Sequence, residues 1–221
     1  MYRYLMKRLI TTPHRLLMPA LILSLSFAAT AQTPTSAGST RYRATSIGIS
    51  TGWNAPYAAG LELSHFITRQ LDLNVGVGTG LSGKKFGVGA RYFVAPERRL
   101  SPYFGLNAVY SPGRRDIEVN SLPATSVFAS DRIGTLEVLP TAVLHLRSGL
   151  RWQPGKKPGR VGLLGSIGYG IRSRNPMRYT MYEGEAEPSP ESKQNYRFVF
   201  APGGVELSLG LSIGLGQKMR E

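Results

Sequence analysis

The 221-residue chain contains no cysteine, which excludes a disulfide framework, a thiolate zinc site and a cysteine nucleophile. Histidine is nearly as scarce. The three residues are His14, His65 and His145, and no His-x-x-x-His metal spacing occurs. Acidic residues number 13 against 27 Lys and Arg, a formal net charge of +14. Such a balance raises nucleic acid or an anionic membrane as partner. The basic residues are scattered over turns rather than massed on one helix, so the membrane surface is preferred and no nucleic-acid partner is expected. No segment reaches the ~20 apolar residues of a spanning helix. Beyond the N-terminal segment no window shows a helical period.

That N-terminal segment has its own logic. Arg3, Lys7, Arg8 and Arg15 give a basic start without an acidic residue. Leu16 to Ala29 is then almost wholly apolar, and Ala29-Thr30-Ala31 offers a small-x-small cleavage site before Gln32. This is the order of a secretory signal peptide. A membrane-anchoring helix is the competing reading, but the run is short and contains Pro19 and two serines. Residues 1–31 are therefore expected to be removed, taking four positive charges and leaving +14 − 4 = +10. Residues 32–43 are expected to form a polar periplasmic segment, and 44–221 a single barrel domain.

Residues beyond that segment alternate with period two. In Leu71-Asp-Leu-Asn-Val-Gly-Val-Gly-Thr-Gly-Leu81 the odd positions are mostly aliphatic and the even ones Asp, Asn or Gly. Val205-Glu-Leu-Ser-Leu-Gly-Leu-Ser-Ile-Gly-Leu215 repeats the scheme. Side chains alternate across a strand, so each segment has one apolar face and one polar or tiny face. Similar segments cover about 45–54, 59–67, 86–94, 102–111, 136–152 and 161–172. That predicts eight antiparallel strands joined by turns rich in Pro, Gly and charge. Two connections are long, about 112–135 and 173–197. With the N-terminus in the periplasm both fall on the extracellular side, the asymmetry of an up-and-down transmembrane β-barrel.

In a soluble, lipocalin-like barrel the aliphatic face would point inward; in a membrane barrel it meets lipid. The polar face here is rich in glycine, for example Gly48, Gly76, Gly87 and Gly168, as the cramped interior of eight strands requires. Outward aromatics gather toward strand ends: Trp53, Phe86, Tyr110 and Tyr169 at one level, Tyr92, Phe104 and Trp152 at the other. Two such girdles mark the membrane interfaces. The predicted lumen-facing network comprises Glu62, Asp72, Glu137 and Glu206 against Arg91, Arg147 and Arg151, with His145 among them. Buried charges of both signs are expected to pair.

The stretch from Ala59 to Pro112, above all GLELSHFITRQLDLNVGVGTG and GVGARYF followed by SPYFGLNAVYSPG, resembles small outer-membrane β-barrel proteins of Gram-negative bacteria. It looks closest to the largely uncharacterised outer membrane protein β-barrel domain group. The likeness extends over nearly all of residues 44–216. It implies an outer-membrane location, the assembly machinery for such barrels as a partner during biogenesis, and no common chemistry. The chain departs from the group at its end. Such barrels typically close on an aromatic residue, whereas here Leu215-Gly216 is followed by Gln-Lys-Met-Arg-Glu221.

Motifs with a chemical look have plainer readings. Gly78-Thr-Gly-Leu-Ser-Gly83 matches a dinucleotide-binding pattern, yet that pattern needs a helix after the loop. Another alternating strand begins at Phe86, so a hairpin is expected and no cofactor. Some eight-stranded barrels modify lipids through a His-x-Ser arrangement. Ser64-His65 and His145-Leu-Arg-Ser148 do not reproduce it. The sequence therefore predicts a non-enzymatic barrel with a plugged lumen, acting structurally or through loops 112–135 and 173–197, its ligand unspecified. A lipid-modifying enzyme, narrow transport and a soluble lipocalin-like barrel are the alternatives. Arg172, Arg174 and Arg178 open the second loop, beside the outer leaflet, and are candidates for contact with lipopolysaccharide phosphates.

Overall fold

The computed structural model describes residues 43–118, 135–154, 160–180 and 189–218. The proposed leader and its cleavage site lie outside them. Eight strands close a barrel: β1 (Arg43–Trp53), β2 (Ala59–Phe66), β3 (Leu71–Gly80), β4 (Gly83–Phe93), β5 (Leu100–Glu118), β7 (Thr141–Trp152), β8 (Val161–Arg172) and β10 (Gly204–Lys218). Each pairs antiparallel with its neighbour in that order, and β1 closes on β10 with Ile47 opposite Ile213. Two further strands, β6 (Thr135–Val138) and β9 (Met177–Thr180), and one helix, α1 (Pro190–Phe200), stand outside the ring.

The pleat sorts side chains as the alternation requires. Leu73, Val75 and Val77 on β3 point outward and are 44%, 48% and 46% exposed, while Asp72 and Asn74 between them are buried. Leu207 and Leu209 on β10 are exposed on either side of buried Ser208. An aliphatic face this large and continuous is incompatible with water and suits hydrocarbon. Aromatics of the two levels face each other across strands: Phe86 opposite Tyr110, and Tyr92 opposite Phe104.

Two expectations need correction. Residues 136–152 do not form one strand. Pro140 lacks an N–H for the ladder, so β6 ends at Val138 and β7 restarts at Thr141. The side-chain phase slips by one at this break: Leu136 and Val138 bury, then Thr141, Val143 and His145. The second long connection is not a bare loop either. It contains β9 and α1, the latter capped by Ser189, whose Oγ accepts from Ser192 N at 3.1 Å, with proline in the first turn. Above the barrel, β5 continues to Glu118 and pairs with β6, which pairs with β9. Residues 119–134, most of the first long loop, lie outside the described residues.

Candidate functional site

The lumen is the first place where chemistry-bearing residues converge. Toward the end of the barrel that carries the β2–β3 turn, Arg91 on β4 sits between two carboxylates: Nη1 lies 2.6 Å from Glu62 Oε1, and Nη2 lies 3.1 Å from both Asp72 oxygens. Asp72 and Arg91 are directly opposite in the β3–β4 ladder, which makes their pairing local. Glu62 on β2 reaches the same guanidinium from across the lumen. One cation thus answers two anions in a dry setting, where a missing partner would cost several kcal/mol.

Toward the mouth lies a second cluster. His145 Nδ1 donates to Glu206 Oε2 at 2.9 Å, and the two side chains are 1% and 0% exposed. Lys85, also buried, donates from Nζ to Ala55 O at 3.0 Å. That acceptor belongs to the β1–β2 turn, which folds into the barrel. Tyr57 in this turn, 1% exposed, donates its hydroxyl to Asn74 Oδ1 at 2.9 Å and accepts from Asn107 Nδ2 at 3.1 Å. Asn107 also donates to Asn74 Oδ1 at 2.8 Å. The facing glycines make room. A Cβ at Gly76 would stand 2.5 Å from the Tyr57 ring, and one at Gly78 would collide with the Tyr57 carbonyl. Asn54 and Ala58 flank the turn with φ of 51° and 50°, a left-handed backbone that non-glycine residues adopt at some cost.

The end of the barrel that carries the β2–β3 turn is aromatic. Phe66, Phe93 and Tyr103 cluster there, and the Arg151 guanidinium lies 4.2 Å from the Phe93 ring centroid while donating to Pro96 O at 2.7 Å. Between the layers, a cavity of about 30 Å³ is bordered by Glu62, Arg91, Tyr103 and Arg147, room for about one water molecule.

The predicted network is thus divided. Glu62, Asp72 and Arg91 come together, as do His145 and Glu206. Arg151 binds a backbone carbonyl and aromatic faces. Arg147 borders the cavity, and its Nε and Nη2 meet no acceptor among the described residues. Glu137 is not in the lumen. It lies on β6, where Arg178 Nη1 stands 3.2 Å and Arg115 Nε 3.5 Å from its carboxylate. A continuous strand would have put Glu137 on the face of His145; the break at Pro140 removes it. Tyr57, Asn74, Lys85 and Asn107 escaped sequence reasoning. Their signal was the set of glycines Gly60, Gly76 and Gly78 beside an Asn-Ala-Pro-Tyr turn.

The second convergence is the cap formed by β6, β9 and α1. Ile117, Leu136, Val138, Met177, Tyr196, Phe200 and Ala201 form a separate apolar core, with the Tyr179 and Tyr196 rings 6.4 Å apart. Burial pushes the Tyr179 phenol up, and the nearby Arg197 charge opposes that rise. Arg172 donates to Pro202 O at 2.7 Å and Gly203 O at 3.1 Å, and Arg174 Nε to Pro140 O at 2.8 Å. The three loop arginines therefore tie the cap to the barrel rim and to itself. On the outer wall, His65 is exposed, its Nδ1 2.8 Å from Thr45 Oγ1. Gly78–Gly83 forms the β3–β4 hairpin, with Gly83 at φ +98°.

No family model and no curated protein matches the chain. Among solved structures it is similar to the N-terminal β-barrel domain of Pseudomonas aeruginosa OprF, at 13% identity and a TM-score of 0.46, covering 78% of this chain and 98% of that one. It is also similar to Acinetobacter baumannii CarO, at 10% identity and a TM-score of 0.35, with the same coverages.

Proposed function

We propose that the chain is an outer-membrane barrel without enzymatic activity, its lumen plugged by its own side chains, whose contacts with the surroundings run through the extracellular cap. The observation that carries this reading is the inversion of the wall: aliphatics outward, and inward the polar and charged groups, with Glu62 and Asp72 paired to Arg91 and His145 to Glu206. Glu62, Asp72 and Arg91 occupy the lumen beside the aromatic end, and Tyr57 with Lys85 draws the first turn into its mouth. Eight strands leave an interior that side chains alone can fill.

Lipid and lipopolysaccharide are the partners that this placement favours, with Arg172, Arg174 and Arg178 on the extracellular side. The dedicated assembly machinery is the partner during biogenesis. The non-enzymatic reading draws support from the histidines. His145 Nδ1 is engaged by the Glu206 carboxylate rather than by a hydroxyl, and His65 Nδ1 lies beside the Thr45 hydroxyl.

Cell fractionation with heat-modifiable mobility on a gel tests the location; a mature protein in the soluble periplasm without detergent would overturn it. Planar-bilayer recording tests the plug, with no stable large conductance expected and steady porin-like steps as the opposing result. Lipid A mass spectrometry of cells with and without the protein tests the absence of chemistry. A lipid change abolished by His65→Ala or His145→Ala would replace this reading with an enzymatic one.

A further inference from the structure

We infer that α1 lies on the outer leaflet of the membrane, with Phe198 set among the lipid chains and Arg197 at the level of the phosphates. This rests on the outer-membrane reading above. One side of α1 buries Ser192, Tyr196 and Phe200 against the cap. Its other side exposes Glu191, Gln194, Arg197 and Phe198. Phe198 is 59% exposed, the single apolar group on that polar face. A lone exposed phenylalanine is ordinary on a soluble protein, so its position decides.

The Phe198 ring centroid stands 5.5 Å from that of Trp53. Trp53 is the last residue of β1, points out of the barrel and pairs in register with Leu207. Leu207 and Val205 are 57% and 58% exposed on the same outer wall. Leu207, Val205, Trp53 and Phe198 thus make one unbroken apolar strip that runs from the lipid-facing belt onto the helix. Interfacial helices place Phe and Trp at the chain boundary and cations just above. Arg197 precedes Phe198 and is exposed. Arg172 spends donors on Pro202 and Gly203. A lipid phosphate is the counter-charge that suits an exposed arginine beside a chain-boundary aromatic.

The chain has two tryptophans, Trp53 and Trp152, so the test is spectroscopic. One variant keeps Trp53 alone (Trp152→Phe). A second carries Trp53→Phe, Trp152→Phe and Phe198→Trp. A third adds Gln194→Trp in place of Phe198→Trp. Each is reconstituted, shown folded by heat-modifiability, and read in phosphatidylglycerol vesicles with bromines near the headgroup end of the chains. Trp53 is expected to be quenched with a blue-shifted maximum. The tryptophan at 198 should be quenched likewise, and the one at 194, one turn earlier on the same exposed side, should be quenched too, less deeply. Quenching at 53 without quenching at 198 would overturn the inference and leave the membrane reading standing. No quenching at either would overturn both. Adding Arg197→Gln should lower quenching at 198 to the level seen in phosphatidylcholine vesicles; an unchanged value would remove the phosphate contact.

Discussion

The lumen and the cap are built from one chain, share strand β5, and obey opposite rules. In the barrel the charged and amide groups are inside and the aliphatics outside. A few residues further along β5, Ile117 turns inward to meet Leu136, Val138 and Phe200 as in any water-soluble domain. The difference teaches that what is called a core depends on the solvent outside it. Against hydrocarbon, burying an aliphatic side chain gains little, so the interior is free to be polar provided that its charges pair. Against water, apolar burial is again the main stabilising term.

Removing Arg91 should break the comparison most severely on the lumen side. Arg91→Met leaves Glu62 and Asp72 buried without a cation, a loss of about 3–5 kcal/mol, read as a lower urea midpoint of the reconstituted barrel. The triple variant Arg91→Met, Glu62→Gln, Asp72→Asn should recover most of it. Equal midpoints for single and triple variants would show that the ions do not hold the lumen. Leu136→Ala, a cavity in the cap, should cost about 2–5 kcal/mol locally. Its signature is faster proteolysis of the cap with heat-modifiability of the barrel unchanged; a shifted barrel transition would mean that the two regions unfold together. Tyr57→Phe strips one hydroxyl from the Asn74–Asn107 pair and should cost about 1–3 kcal/mol, seen as increased hydrogen exchange in the 54–58 turn. Ser189→Ala removes the cap of α1, worth about 1 kcal/mol, and should increase exchange at Ser192 alone among these readouts.

How far the sequence discloses this depends on the scale of the interaction. Alternation in Leu71–Leu81 and Val205–Leu215 reports directly on which face is apolar, because the strand period is a local property. The eight barrel strands were legible for that reason. The break before Thr141 was missed: Pro140 and the phase slip from Val138 to Val143 mark it, but the aliphatics on both sides read as one strand. Helix α1 carries a cap signature in Ser189-Pro190-Glu191. The surrounding prolines and glutamates gave the same residues the look of an unstructured loop. Asp72 facing Arg91 follows from the β3–β4 hairpin, but the partners contributed by strands that are not neighbours were not readable. Whether Glu62 meets Arg91 or Arg147 depends on the stagger of strands around the ring, and no single segment encodes that stagger. Tyr57 is the sharpest case, since a turn residue that dives into the barrel leaves only three glycines on other strands as its trace.

The seam between β1 and β10 carries a consequence for how the molecule comes into being. Ile47 must find Ile213, and Gly52 must find Ser208, so the pairing that completes the ring joins the two ends of the barrel sequence. Such a long-range contact cannot form during synthesis, and its loop-closure entropy makes it slow. Until it forms, both strands present open edges on which another chain can add. Closure of this seam is therefore the step that removes the barrel's open edges.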